Sequence, residues 1–428
     1  MRRPVRTATA VAVAALALAA CGRTADTGGS GQPQGGEAVS GGPATGTVEV
    51  WAMGTEGEAL GDFAEAFEKQ NPKVDVKVTA VPWEAAYDKL ATAIAAGQTP
   101  DVSLIGTTWM GEFAEADGLA PTPKGLVDES SFFPGAWDST VVNGTSYGVP
   151  WYVDTRALFY RSDMASKAGW SEPPKSWDEL QQFASDLQSK GGAQHGIYLQ
   201  PGQTGSWQQV LPFAWSNGAQ MYDGEQYTFD TPEATEALEY YTSFYDKGLS
   251  PARMLDPGAL EQGFVDGTYG SFINGPWYTG LIEDIGGQEI AGKIGVAPLP
   301  SPDGGGMGKS FVGGGNMSVF STADNKEAAW KFVAWLAEPD VQQDWYETVG
   351  GLPSVEAAWD SGELASDPRL SVFGEQLNHT VAPPAVPTWE QVAAVLDSDI
   401  EKAVRGGVPA GEALSHAQQR AESIGTGF

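Results

Sequence analysis

Residues 147–161 read YGVPWYVDTRALFYR. Gly148 supplies a turn-former and Pro150 a rigid φ, and the run that follows sets Trp151, Tyr152, Asp154 and Arg156 on one short extended segment. Alternation along a strand puts Tyr152, Asp154 and Arg156 on one face and Val153, Thr155 and Ala157 on the other. An aromatic plate, an acceptor and a fork of donors side by side suit a sugar. The C–H faces of the ring stack on the aromatic, and the hydroxyls take the charged hydrogen-bond partners. The alternative is a sheet strand whose ion pair only holds structure, and the surrounding chain has to choose between the two.

Working backward from this stretch, residues 48–53 (VEVWAM) alternate as a strand that Gly54 breaks. Thr55 and Glu58 have the spacing of a capping box, and Leu60, Phe63, Ala64 and Phe67 follow at helical intervals up to the Asn71-Pro72 stop. Residues 74–81 form a second strand. A second amphipathic helix carries Trp83, Tyr87, Leu90 and Ile94 on one face. Residues 101–106 make a third strand and 108–116 a third helix, with Gly118 as its C′ residue. Strand alternating with helix predicts a parallel sheet covered on both faces, with ligands bound beyond the carboxyl ends of the strands. Thr55-Glu56 and Thr107-Thr108-Trp109 occupy that position. Neither helix opens on GxGxxG or GxxxxGK[ST], so a nucleotide site has no support.

Working forward, Ser176 to Glu179 is another capping box opening a helix that runs to about residue 190. Residues 207–215 read as a helix with two indoles. Thr231-Pro232 starts another, with Ala234, Leu238, Tyr241 and Tyr245 at core spacing. Residues 264–277 (FVDGTYGSFINGPW) end a strand in a Gly-Pro-Trp turn, which turns Trp277 toward a cleft rather than a core. Residues 293–300 and 311–320 supply further strands. The triplet Gly313-Gly314-Gly315 permits φ > 0 and close approach of a ligand to backbone N–H groups, or else marks a bulged strand. The last hundred residues are mostly helical, over 326–337, 340–348, 388–404 and 410–423.

The chain has 428 residues, enough for two or three domains, and a formal net charge of −31. Such a field disfavours nucleic acid and anionic head groups as partners. Its 15 Trp, 17 Phe and 13 Tyr argue against disorder and leave aromatics to spend on a ligand. Arg2, Arg3 and Arg6 precede an apolar run, residues 8–20, that is short for a membrane span. It ends in Leu18-Ala19-Ala20-Cys21, which resembles the lipobox of bacterial lipoproteins, and Cys21 is the single cysteine. That resemblance implies cleavage before Cys21 and acylation there, each chain contributing roughly 0.8 kcal/mol per buried CH₂. Residues 22–46 are Gly-, Ser-, Thr-, Ala-, Pro- and Gln-rich and read as a flexible tether. His195, His379 and His416 are scattered, so no metal and no cofactor is expected.

The ordered set of VEVWAMG, DVSLIGTTWMGEFAEADGLAP, YGVPWYVDTRALFYRSDMASKAG, PPKSWDEL, INGPW, FVGGGNMSVF, GGLPS, DPRL and WEQVAAVLDSDIEKAVRGGVPAGEALSHAQ resembles an extracellular solute-binding protein of a carbohydrate ABC importer, in the cluster of maltose- and trehalose-binding proteins. The resemblance runs in order over about residues 48–421. It implies a two-lobed α/β fold of the type II periplasmic-binding-protein kind, each lobe a mixed or parallel sheet flanked by helices, joined by crossing hinge strands. Lobe I would be 47–153 plus 314–365 and lobe II 154–313 plus 366–428. A disaccharide or short oligosaccharide, best matched by an α-glucoside such as maltose or trehalose, would bind between them and pass to a membrane-spanning ABC permease. The protein would be a lipid-anchored monomer on the outer face of a high-GC Gram-positive cell. On that likeness Thr55, Glu56, Thr108 and Trp109 contact the ligand, although many relatives carry a charge at one or both of the Thr108 and Trp109 positions. Asp154 is an acidic site residue, Trp277 and Trp389 stack on sugar, Trp207 lies in an aromatic region, and Gly314 and Gly315 offer backbone donors. Tyr152 and Arg156 join them on the alternation argument. The competing function is a surface glycosidase using Glu56 and Asp154, which needs two carboxylates about 5–5.5 or about 6.5–9.5 Å apart.

Overall fold

The computed structural model describes residues 36–428, so the leader reading and Cys21 lie outside the described residues. The strands in chain order are β1 (Thr45–Met53), β2 (Lys73–Val81), β3 (Val102–Gly106), β4 (Val141–Val142), β5 (Thr145–Ser146) and β6 (Val149–Thr155). They continue as β7 (Ala157–Arg161), β8 (Ser271–Asn274), β9 (Ile294–Ala297), β10 (Ser310–Val319), β11 (Leu352–Pro353) and β12 (Thr380–Val381). The large sheet has the order β11-β6-β10-β3-β1-β2, with β12 beside β10. β1 runs parallel to β2 and β3, as the strand–helix alternation requires, and β10 joins it antiparallel to β3 and β6.

Val48, Val50 and Ala52 on β1 are fully buried, and the helix Gly54–Gln70 lays Leu60, Ala64 and Phe67 into the same core. Phe67 meets Phe332 and Trp335 of the helix Lys326–Leu336 at ring distances of 5.3 and 5.4 Å. Each such side chain contributes about 1.5–3 kcal/mol by leaving water. Behind β6, Trp151 stacks on Trp345 at 4.6 Å, both nearly fully buried. Ser354, just past β11, donates to the Pro150 carbonyl at 2.7 Å, and its own N–H is taken by buried Gln342 at 2.8 Å. These bonds fix β11 as the edge of the sheet.

The small sheet is β8-β7-β9, antiparallel on both sides of β7. Phe159 and Phe272 stack across it at 4.9 Å. A second core forms where the helices Trp177–Asp186, Trp207–Ser216, Pro232–Asp246, Trp389–Gly406 and Ala410–Ile424 meet around Leu180, Phe213, Tyr241, Phe244 and Leu396. Arg156 alone separates β6 in the large sheet from β7 in the small one. The Ser310 hydroxyl clamps this crossing: it accepts from the Arg156 N–H at 3.1 Å and donates to the Arg156 carbonyl at 2.9 Å. β12 lies against the same point, pairing at Ser310 and Phe311.

Several local expectations need correction. Thr55 is not a helix cap, because the helix already begins at Gly54 with Met53 at its N-cap and no side-chain cap bond. The left-handed residue after the third helix is Asp117, not Gly118, and that helix is a 3₁₀ turn over Thr107–Trp109 followed by Met110–Glu115. Residues 264–266 close the helix Ala259–Asp266 instead of opening a strand. The helix Pro368–Leu377, started by Asp367 accepting from the Arg369 N–H, was absent from the pattern reading. The expected tether is tied down at its end: Gly36 bridges to Pro123, and buried Ala44 donates its N–H to Asn71.

Gly314 and Gly315 have a packing cause. The ladder between β10 and β6 slips after Gly315, and Gly314 adopts φ of +112°. A Cβ on Gly314 would lie 2.2 Å from the Tyr152 carbonyl oxygen, and one on Gly315 2.2 Å from Leu104 Cδ1. They let β10 press against its neighbours rather than face a ligand. Gly314→Ala should therefore destabilise the chain by more than about 1 kcal/mol. By contrast Gly61→Ala, on the exposed side of the first helix with ordinary spacing around it, should stabilise by roughly 0.5–1 kcal/mol. Urea unfolding of both variants checks this contrast.

Candidate functional site

Alternation along β6 buries Trp151, Val153 and Thr155 and leaves Tyr152 and Asp154 partly open. Where β6 gives way to β7, the Arg156 guanidinium turns back beside them. Its Nη1 donates to Asp154 Oδ1, and its Nη2 donates to Gln208 Oε1 at 2.8 Å. The guanidinium lies 5.0 Å from the Trp277 ring centroid and 5.3 Å from that of Phe311. Two aromatic faces, a carboxylate and an amide thus hold one cation, an arrangement suited to Arg because its planar fork stacks and bonds at once.

Each partner is set by its own element. Trp277 is 44% exposed, just before the helix Tyr278–Ala291, and its ring covers the preceding turn: a Cβ on Gly275 would lie 2.1 Å from Trp277 Cζ3. The glycine of the Gly-Pro-Trp sequence therefore leaves room for the six-membered edge of the indole. Gln208 sits in the first turn of the helix Trp207–Ser216, whose N-terminus is capped from a distant helix by Asp397. The Asp397 carboxylate accepts from the N–H groups of Gly205 and Trp207 at 2.8 and 2.9 Å and from the Ser206 hydroxyl at 2.8 Å. Burial pushes the Asp397 carboxyl up against the pull of those bonds.

A second group gathers at the carboxyl ends of β1, β2 and β3. Gly54, with φ of +54°, leaves room for the Trp83 indole, and Trp83 meets Trp109 edge-on at 5.9 Å. Tyr87 packs against Trp109 at 5.7 Å and donates its hydroxyl to Glu112. Thr55 is exposed beside half-buried Glu56. Burial raises the Glu56 carboxyl, partly offset by its own backbone N–H. Thr108 faces Glu390 of the helix Trp389–Gly406; burial raises that carboxyl too, Thr108 lowers it and Glu112 raises it. Tyr152 links the groups: burial raises its phenol, and the nearby Glu56 and Asp154 carboxylates raise it further. Carboxylates thus gather here, Glu56 and Asp154 around Tyr152 and Glu112 near Glu390, with Arg156 paired to Asp154. Among the described residues no cluster of His, Cys, Asp and Glu could hold a metal ion.

The structure thus brings Glu56, Tyr152, Asp154, Arg156 and Trp277 together and sets Thr55, Thr108 and Trp109 at the adjoining strand ends. Two aromatic assignments are corrected. Trp389 is fully buried, edge-on to Trp207 at 5.1 Å and against Tyr227 at 6.3 Å, so it is core. Trp207 is 5% exposed and packs edge-on to Phe311 at 5.2 Å, one layer behind Arg156. Gly314 and Gly315 serve the strand ladder, as above. Sequence reading missed Gln208, Phe311 and Glu390. It set Trp83 on one face of the second helix and no more, although its place just past β2 matches that of the Glu56 and Trp109 loops past β1 and β3.

The chain is similar to known proteins over most of its length. The profile of a family described as bacterial extracellular solute-binding protein matches residues 52–343. The solved structure of the sugar-binding protein MalE from the phytopathogen Xanthomonas citri is similar, with a TM-score of 0.82 and 34% identity over 89% of this chain and 97% of that one. The maltotriose-binding protein of Pyrococcus abyssi is 27% identical, covering 82% of this chain and 77% of its own length. The diacetylchitobiose binding protein DasA of Streptomyces coelicolor is 28% identical, covering 92% and 91%.

The raised Glu56 carboxyl has a pH consequence. A carboxyl whose folded pKa lies above its ordinary 4.5 contributes stability below that value, and the contribution is lost as pH rises through the folded pKa. Glu56→Gln should therefore melt higher than the parent near neutrality, with the gap closing below pH 4.5. Thermal melts of both proteins across that range read the sign, and a gap that widens on acidification contradicts it.

Proposed function

The chain belongs to the bacterial extracellular solute-binding proteins, and from that premise we propose that it captures a disaccharide or short oligosaccharide between two lobes and delivers it to an ABC permease. An α-glucoside such as maltose or trehalose is the favoured ligand. The observation that carries this reading is the meeting of Trp277, Arg156 and Asp154 at the point where the chain passes between its two sheets. An exposed indole offers a sugar ring a flat apolar face, while the flanking ion pair offers its hydroxyls both acceptor and donors. Tyr152 beside Asp154, and Thr55, Glu56, Thr108 and Trp109 at the adjoining strand ends, are proposed to complete the site. The lobes are taken as 47–153 plus 314–365 and 154–313 plus 366–428, closing as a hinge around the ligand. The family and the neighbours named above are binding proteins, and no hydrolytic role is proposed for Glu56 and Asp154.

The protein is proposed to act as a monomer held on the outer face of the membrane by acyl chains on Cys21. Among the described residues no helix is long and apolar enough to cross a membrane. Cys21→Ser should move the chain from the membrane pellet to the soluble fraction, and a variant still pelleting with membranes contradicts the anchor.

Titration calorimetry with maltose and trehalose tests the site. Trp277→Ala should weaken the sugar that binds by at least about tenfold, roughly 1.4 kcal/mol. Leu281→Ala, exposed on the same helix, should change affinity by less than about twofold. Equal effects would remove Trp277 from the site, and released monosaccharide would overturn the binding reading.

A further inference from the structure

Next to the Trp277 site, and sharing that ring with it, lies a groove of about 360 Å³. Trp277 and Glu283 of the helix Tyr278–Ala291 form one wall. Tyr346, from the helix Pro339–Val349 that packs behind the large sheet, stands on the other. Glu363, Asp367 and Arg369 complete the lining. The volume falls within the range of small-molecule sites, about 300–1,000 Å³.

The groove is built of fixed polar groups. Arg369 Nη1 donates to Glu283 Oε1 at 2.6 Å, and Nη2 donates to Asp367 Oδ2 at 2.9 Å. Asp367 also accepts from the Arg369 N–H at 2.7 Å, which ties the guanidinium to the start of its helix. Burial works to raise the Asp367 carboxyl, and its bonds to Arg369 outweigh that and lower it. The Tyr346 phenol is pushed up to about 12, first by burial and then by Glu363 and Asp367, so it stays protonated as a donor. Three carboxylates against one guanidinium leave the lining net negative, which excludes phosphates and uronic acids. What fits is an uncharged, hydroxyl-rich ring with an apolar face for an indole. Trp277 is open enough to serve both spaces.

We infer that this groove is an outer subsite for a third, uncharged sugar unit, so that an oligosaccharide of three or more units binds tighter than the disaccharide that fills the Trp277 site alone. The inference rests on the sugar reading of the Trp277 site. Because its walls come from helices belonging to different sheets, a third unit bridges them as the first two do.

The test is calorimetry on the mature chain with maltose and maltotriose, cellobiose and cellotriose, and chitobiose and chitotriose, repeated with Glu283→Gln and Tyr346→Phe. In at least one series the trisaccharide should bind tenfold or more tighter than its disaccharide. Either substitution should cut that gain at least threefold while leaving disaccharide affinity within twofold and the melting temperature unchanged. A trisaccharide no tighter than its disaccharide overturns the outer subsite and leaves the sugar reading standing. So does a gain that survives both substitutions, or one lost together with disaccharide binding. No binding in any series overturns both.

Discussion

The guanidinium of Arg156 is the point on which the site depends. The chain leaves the large sheet and enters the small one across this one residue, whose backbone is clamped on both sides by the Ser310 hydroxyl. Its side chain, only about a tenth exposed, is paired with Asp154 and lies over Trp277 and Phe311. A partly buried cation needs that many partners, since removing one leaves an uncompensated charge. The same requirement that satisfies Arg156 therefore assembles an acceptor, a donor fork and an aromatic plate at the crossing. In the proposed function, structure and recognition share one set of contacts.

A supporting layer holds the cluster in place. Asp397 reaches from one helix to cap another, and so sets the height of Gln208, which takes the last described donor contact of Arg156. Trp207 and Trp389, both spent inside the core, back the Phe311 ring on which the guanidinium lies. The buried indoles thus back the Arg156 cluster, while those at strand and turn ends, Trp83, Trp109 and Trp277, keep exposed faces.

Much of this was legible in the sequence, and the exceptions have physical causes. Periodicity gave β1, β2, β3 and their helices because one face of each is buried and the other is not. The Gly-Pro-Trp turn announced Trp277 because rigid geometry leaves an indole few places to go. Trp207 and Trp389 were misplaced because likeness to relatives carries an aromatic's position along the chain but not whether it faces a core or a groove. Gly313 to Gly315 were ambiguous because close approach by a ligand and close approach by a neighbouring strand ask for the same missing Cβ, and the bulge against Tyr152 resolves it. Gln208 and Glu390 carry no motif. Only the fold places them, 52 positions along from Arg156 in one case and across the sheets from Thr108 in the other.

The most direct test is a crystal structure grown with the tightest-binding sugar. The account predicts a sugar ring lying flat on Trp277, with hydroxyls within hydrogen-bond reach of both Asp154 and Arg156. A sugar bound away from that indole, with the Arg156–Asp154 pair untouched, would contradict it.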